Sequence, residues 1–458
     1  MRKLILAAAA LSLSASATAQ SAQERLDTRY DRALAAGYKA LFLCSAIANA
    51  EANGATRTPE SVHEWELSWI QQPLDGFVRD LEYDIRRRDG VVTEVRVPFA
   101  DDMPPRIGAV RGGTDGGCFL KPIGASGTWA SMASTAGERD DRPWREAFDK
   151  LDSETGQRIV QSAFDGSYGD GSRTTGLVIV RSGEIILEDY TEGFGPNVPQ
   201  RTWSVAKSIA ATVVGAKVQL GEADVNEPTE LWPEIGDPRD QLTIDHFLRM
   251  ASGRYQNTPG NRTDPLYWGG TTVTERAMNW PLIREPGTVW RYANNDTLMA
   301  IAAVKETLAF DTPAALFAKL GMNNTVAEQD WQGNYILSSQ VWSTARDLAR
   351  LGQLHLNDGE WNGERIVPEG WTAYVSDPSG PQPVSGMGYG AGWGTFRRPE
   401  GNAFEGVPDD AFAARGNRGQ YVVVVPSRDV VIVRRGEDMV GTRFDIAAFT
   451  RDVLAAID

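Results

Sequence analysis

Ser204 and Lys207, in the stretch TWSVAKSIAATVVGAKV (202–218), are the residues best placed by type and spacing to do covalent chemistry. A serine hydroxyl is a weak nucleophile and needs a base beside it. A lysine can be that base only if its pKa falls well below the usual value of about 10.4. Burial near other donors or cations has that effect. Ala206, Ile209, Ala210, Val213, Val214 and Val218 form an apolar face at helical spacing, and Gly221 ends the run. Ser204 therefore falls in the first turn or just before it, with Lys207 one turn on along the same face. The helix N-terminus would add free N–H groups and a positive dipole end, which stabilise an oxyanion. The plainer assignment makes Ser204 an N-cap and Lys207 a solvated side chain. Ser-x-x-Lys occurs once, where 25 Ser and eight Lys in 458 residues give roughly 0.4 by chance, so the pair alone does not decide.

Other nucleophile schemes fit less well. Thr202 and Ala206 occupy the glycine places of a G-x-S-x-G elbow. His63, His246 and His355 stand in no motif that marks a base, and with Cys44 and Cys118 they show no zinc-type spacing. Neither a metal nor a cofactor is expected.

Two further pieces lie downstream. In EPGTVWRYANND (285–296), Pro286-Gly287 makes a turn and Tyr292-Ala293-Asn294 precedes an apolar helix. A tyrosine there could relay a proton, and the asparagine could hold the lysine or a substrate amide. Tyr255-Gln256-Asn257 has the same spacing, without the Pro-Gly-Thr lead-in or the helix after it. In ARGNRGQYVVVV (414–425), Gly416 and Gly419 open a strong strand. Glycine lets backbone or ligand approach closely, so this strand start could supply a backbone N–H to an oxyanion. A β-bulge without a ligand is the other reading. Trp268, Trp280 and Trp290 would line an apolar pocket or fill core.

The elements around these motifs define an α+β fold. GLVIVRSGEIILEDY (176–190) is a hairpin around Ser182-Gly183, and QYVVVVPSRDVVIVRRG (420–436) is another, around residues 426–429. Helices and long loops lie between them, and a last helix covers 442–457. The pattern predicts an antiparallel sheet completed by both ends of the domain, flanked by helices, with a helical lobe beside it. A site is expected in the crevice between sheet and lobe. Upstream, 24–52 reads as a helix and 91–99 as a strand, followed by a second short strand near Cys118. The polar run at 133–143 marks a boundary. The expected division is a signal peptide over 1–19, an N-terminal extension packed on the main domain over 20–140, and the main domain over 141–458.

Acidic residues outnumber basic ones, 61 to 46, which disfavours a nucleic-acid partner. Arg2 and Lys3, the apolar run Leu4 to Leu13 and Ala17-Thr18-Ala19 form a secretory signal pattern, too short to span a bilayer. No other stretch reads as long and apolar enough to cross one. The mature chain is expected in a periplasm or outside the cell, not inserted in a membrane. An oxidising compartment permits a Cys44–Cys118 disulfide, which would tie the first mature helix to a later strand; two buried thiols are the alternative.

Ser-x-x-Lys, then Tyr-x-Asn after a Pro-Gly-Thr turn, then a glycine-rich strand start resembles the serine β-lactamase and penicillin-binding-protein superfamily. The closer resemblance is to its class C-like branch of esterases, D-amino-acid peptidases and 6-aminohexanoate-oligomer hydrolases. LTIDHFLRMASGRY (242–255) and STARDLARLGQLHLNDGEWNGERIV (343–367) add to it, and FGPNVPQRTWSVAKS (194–208) points to the aminohexanoate-hydrolase-like subgroup. The resemblance covers about 175–458. It implies a β-lactamase/transpeptidase-like fold, with Ser204 as the acylated nucleophile, Lys207 as its base and Tyr292 as proton relay. Asn294 would contact substrate. The oxyanion would sit between the Ser204 N–H and one from 416–420, with Asn417 the first choice and Gln420 the second. Family members with penicillin-directed chemistry carry Lys-Thr-Gly on that strand, where this chain has Asn417-Arg418-Gly419. Arg418 would replace the lysine only by pointing into the cleft. The implied function is hydrolysis of a small ester or linear amide. A β-lactamase or D,D-peptidase, or an inactive binding or sensor module, are the alternatives.

Overall fold

The chain begins with a long alanine-rich helix, α1 (Arg2–Ala52), whose inner face meets a four-stranded antiparallel sheet. That sheet has the order β1 (Asp84–Arg88), β2 (Val91–Val97), β3 (Arg106–Val110) and β4 (Cys118–Leu120). The computed structural model describes residues 2–112, 116–127, 140–146, 151, 153–255, 263–309 and 312–457, with backbone alone for 2–20, 153 and 309. Most of the expected boundary at 133–143 lies outside the described residues. Strand β1, sequence DIRRR, was not expected, because its charges mask the pattern of a strand. It is an almost fully exposed edge, where charged side chains discourage pairing with other chains.

Contrary to the sequence expectation, one stretch among the described residues is long and apolar enough by composition to cross a membrane: Ser21–Ala52. Its most apolar window is 94% buried inside the fold, so these side chains serve as core. Tyr38 and Phe42 of α1 pack against Trp268, and Phe42 against Trp203 and Trp342. The approach is tight enough that a Cβ on Gly37 would lie 1.9 Å from the Trp268 carbonyl oxygen. One hydrophobic core thus runs from α1 and β2 into the elements that follow.

Cys44 on α1 and Cys118 on β4 form a disulfide. It closes a segment of 74 residues. Chain-entropy reasoning gives such a loop about 4 kcal/mol of stabilisation. Replacing both cysteines by alanine is expected to lower unfolding free energy by that order, read from urea denaturation. Reductant should lower the midpoint of the parent chain and leave the variant unchanged.

After α2 (Ser153–Phe164) come β5 (Thr174–Arg181) and β6 (Glu184–Tyr190), joined through Ser182 and Gly183 at φ of 51° and 77°. Such a left-handed pair matches strand twist in a two-residue hairpin. The helices α3 (Val205–Gln219), α4 (Asn294–Ala303) and α5 (Ala345–Leu356) lie in the middle of the chain. Strands β7 (Gly394–Thr395), β8 (Phe412–Gly416), β9 (Gln420–Val425) and β10 (Val430–Gly436) follow, and α6 (Ile446–Ile457) closes the fold.

Eight strands form the main sheet in the order Gly388–Tyr389, β7, β8, β9, β10, β5, β6, Arg145–Glu146. The pairings are antiparallel except the last, which is parallel. β10 lies beside β5, with Val433 opposite Val178 and Ile432 opposite Ile179, so the two ends of the domain close the sheet. Alternation along these strands divides the side chains. Val178, Val180, Val422, Val424, Val431 and Val433 face the core that contains α3 and α5. Leu177, Ile179, Val423 and Ile432 face α2 and α6. Each such buried Val or Ile contributes about 1.5–3 kcal/mol over an exposed one. Gly352 lets α5 settle on β10, where a Cβ would lie 2.5 Å from Val431. The fold is therefore α+β as expected, and the crevice between the β8 edge and the mid-chain helices holds the site.

Candidate active site

Ser204 sits at the N-cap of α3, but its side chain makes no cap bond. Trp203 before it has φ of 51°, a conformation costly for a bulky residue. Its surroundings hold it there. Arg201 stacks over Trp203 at 4.5 Å and over Trp268 at 4.6 Å, with Phe42 behind them. The turn presents the Ser204 hydroxyl toward the Lys207 side chain rather than toward the backbone N–H groups of α3. Lys207 Nζ lies 3.0 Å from Ser204 Oγ. Among the described residues, the Ser204 N–H has no acceptor, so it is available to a ligand.

Lys207 is 1% exposed and has two further contacts, Asn294 Oδ1 at 2.7 Å and the Ser338 carbonyl at 2.7 Å. Asn294 is oriented by its own Nδ2, which donates to Thr263 Oγ1 at 2.7 Å. No carboxylate is paired with Lys207 among the described residues, and burial alone lowers its pKa well below the ordinary lysine value. A neutral amine has two N–H groups and one lone pair. In that form Asn294 and Ser338 would take the two hydrogens and leave the lone pair for the Ser204 hydroxyl. This arrangement can accept the proton of an attacking serine.

Tyr292, just before α4, completes the group. Its ring lies 4.8 Å from Lys207 Nζ, its hydroxyl is close enough to Ser204 to interact with it, and burial pushes its pKa up. The Tyr292 hydroxyl therefore stays protonated and can pass a proton between Ser204 and a departing atom. Tyr255, from the other Tyr-x-Asn match, packs on Trp280 outside the cavity, and residues 256–257 lie outside the described residues.

The wall opposite is the end of β8. A Cβ on Gly416 would lie 2.3 Å from the Thr202 carbonyl oxygen, so glycine is what lets β8 close on the segment that carries Ser204. Gly416→Ala is expected to push the two apart and lower kcat at least about 10-fold with a smaller change in KM. Steady-state kinetics on a nitrophenyl ester check this.

Beyond Gly416 the residues of this strand start differ in exposure. Asn417 is exposed on the cavity wall, but Gln420 is fully buried in β9. The Gln420 side chain donates to the Gly436 carbonyl and accepts from Arg435 Nε at 2.6 Å. Gly419 serves the turn. Its φ is 78°, and a Cβ would lie 1.8 Å from Arg434 Nη1. Arg418 does not point into the cleft as a replacement lysine. It is 4% exposed, pairs with Glu437 at 2.8 Å and donates to the Trp65 carbonyl at 2.8 Å.

These groups line one cavity of about 720 Å³, to which Gln71 of the N-terminal segment and Trp290 and Tyr389 also contribute. Trp268 both lines it and fills core, while Trp280 does neither part of the work at the cavity. None of the three histidines reaches it. The Ser338 carbonyl, Thr263 and Arg415 were not anticipated. A backbone carbonyl has no signature in sequence, and residue type does not separate Arg415 from Arg418 in ARGNRG.

The sheet order, the flanking helices and the crevice site define a β-lactamase/transpeptidase-like fold. The chain belongs to the beta-lactamase family, whose family model matches residues 160–456. It is 27% identical over 290 residues to the 6-aminohexanoate-dimer hydrolase of Paenarthrobacter ureafaciens, an alignment covering 57% of this chain and 72% of that one. A Bacillus anthracis structure provisionally assigned as a 6-aminohexanoate-dimer hydrolase superposes with TM-score 0.54 at 18% identity, over 70% of this chain and 88% of that one. EstCE1, a hydrolase with promiscuous acyltransferase activity, gives TM-score 0.51 at 15% identity, over 67% and 98%. The two structures share the fold. With the family and the named hydrolases among its relatives, the chain is a serine hydrolase.

Proposed function

We propose that this protein hydrolyses a small ester or linear amide through an acyl-enzyme on Ser204. Lys207 takes the Ser204 proton as Oγ attacks the acyl carbonyl. The oxyanion is held by the Ser204 N–H and the Asn417 N–H. The proton returns through Tyr292 to the leaving group, and water then repeats the sequence to release the acid. Asn294 fixes Lys207 and borders the substrate. The observation that carries this reading is the position of Lys207 Nζ: 3.0 Å from Ser204 Oγ, 2.7 Å from each of two further acceptors, and unpaired with any acid among the described residues.

Hydrolysis of a linear amide also suits the name of the Paenarthrobacter relative. The Lys-Thr-Gly lysine of penicillin-directed enzymes has no equivalent here, since Asn417-Arg418-Gly419 stands in its place and the Arg418 side chain is paired with Glu437. The chain is exported, with cleavage after Ala19 inside α1, and matures in an oxidising compartment that suits the Cys44–Cys118 bridge. Its parts are the signal at 1–19, an extension over 20–140 and the hydrolase domain over 141–458.

Purified mature protein assayed on nitrophenyl esters, nitroanilides and nitrocefin tests the substrate class. Turnover of esters or anilides with nitrocefin inert is the expected pattern. Efficient nitrocefin turnover with inert esters would make the protein a β-lactamase.

A further inference from the structure

One residue lining the catalytic cavity, Gln71, comes from the N-terminal extension, outside the 160–456 family match. The loop that carries it is fixed at several points. Arg418 donates to the Trp65 carbonyl at 2.8 Å, and Arg173 Nη1 to Ser68 Oγ at 3.0 Å. The Val440 N–H donates to the Trp69 carbonyl at 3.0 Å. The Ile70 N–H donates to Asp75 Oδ1 at 3.2 Å, and the Asp75 N–H to the Gln71 carbonyl at 3.2 Å. Ile70 and Leu74 are buried in the core. These contacts hold Trp69 at φ of 57°, a backbone costly for a bulky side chain. Gln71 itself is half-buried on the cavity wall, and its carboxamide makes no hydrogen bond among the described residues. Flanking Val440 on the same lining, Asp438 pairs with Arg434 at 2.8 Å and Thr442 Oγ1 donates to the Met439 carbonyl at 2.7 Å, so neither is committed to Gln71.

A carboxamide carries two donor hydrogens and an acceptor oxygen and no net charge. A half-buried one without a partner favours a ligand that hydrogen-bonds it and disfavours an apolar one that only strips its water. The group it matches is neutral and polar, as an amide or a hydroxyl is. We propose that Gln71 contacts the substrate and selects acyl or leaving groups that carry a neutral hydrogen-bonding group, such as a second amide, apart from the bond cleaved. The fixed loop places the carboxamide before the substrate arrives, which limits the ordering cost of binding. The N-terminal extension is then part of the substrate site and not packing alone. This rests on the acyl-enzyme reading above and deepens its substrate class.

The test compares ester pairs that differ by one amide. One arm places the amide on the acyl side, 4-nitrophenyl 4-acetamidobutyrate against the chain-matched 4-nitrophenyl heptanoate. The other places it on the leaving group, 3-acetamidophenyl acetate against 3-propylphenyl acetate. The readout is the ratio of kcat/KM within each pair, taken in the parent protein and in each variant, so that intrinsic ester reactivity cancels. In one arm Gln71→Leu is expected to lower that ratio at least about 3-fold, the order for one hydrogen bond between neutral groups. The loss should be carried by KM. Gln72→Leu, at the exposed next position, should keep the parent ratio. A smaller fall than this in both arms of Gln71→Leu, or an equal fall in Gln72→Leu, would overturn the proposal. Failure of a fluorophosphonate to label Ser204 would instead overturn the acyl-enzyme reading.

Discussion

Lys207→Met is expected to lower kcat/KM for every ester or amide substrate by at least about 100-fold, as is Ser204→Ala, the order for removing a base or a nucleophile. Methionine keeps the length and fills the buried site, so the folded state should persist. The two losses should not add in the double variant, because both residues serve one proton transfer. The pH profile gives a second reading. Only the neutral amine can accept the Ser204 proton. Since burial lowers the Lys207 pKa, activity should rise with pH through that lowered value and level off well below 10.5. A rise that continues toward 10.5 would mean that Lys207 is solvated and charged in the working enzyme.

Arg418→Met is expected to destabilise the protein by about 3–5 kcal/mol, the usual range for stranding one member of a buried ion pair. Arg418 and Glu437 are each 1% exposed at the side chain and lie 2.8 Å apart. Glu66, fully buried beside them, is already committed to Arg57 at 2.7 Å. Burial holds the Glu437 pKa up, at about 7, against 4.5 for an ordinary glutamate. A raised acid binds its proton more tightly when folded, so its contribution is full below the unfolded value and is lost as pH rises through the folded one. The variant should therefore be weakest near pH 8 and recover part of its stability toward pH 5. Urea denaturation at the two pH values measures this. An equal loss at both would show that packing, not the stranded carboxylate, sets the effect. Arg418 also anchors the turn that carries Asn417, so activity should fall with it.

Both effects come from positions that differ in how far sequence reveals them. Ser204, Lys207, Tyr292 and Asn294 were legible because each lies in a local pattern, a helix start or a turn before a helix, and the structure brings the four together. The two hairpins were legible because β-branched runs leave few other options. Strand β1 was not, since Asp-Ile-Arg-Arg-Arg carries the charges of an edge and none of the alternation of a core. Arg415 and Arg418 look interchangeable in ARGNRG. Only the left-handed turn at Arg418 and Gly419, with φ of 57° and 78°, turns one side chain inward and leaves the other on the cavity wall. The Ser338 carbonyl that helps hold Lys207 comes from a distant loop, and long-range backbone contacts leave no local trace. Nor did the sequence show that α1 shares its core with Trp203, the residue whose strained backbone aims Ser204.

The most direct test is covalent labelling of the mature protein by a fluorophosphonate, followed by peptide mass spectrometry. A single adduct on Ser204, formed more than about 100-fold more slowly in Lys207→Met, is the expected result. An adduct on another residue, or labelling that persists in Ser204→Ala, would contradict it.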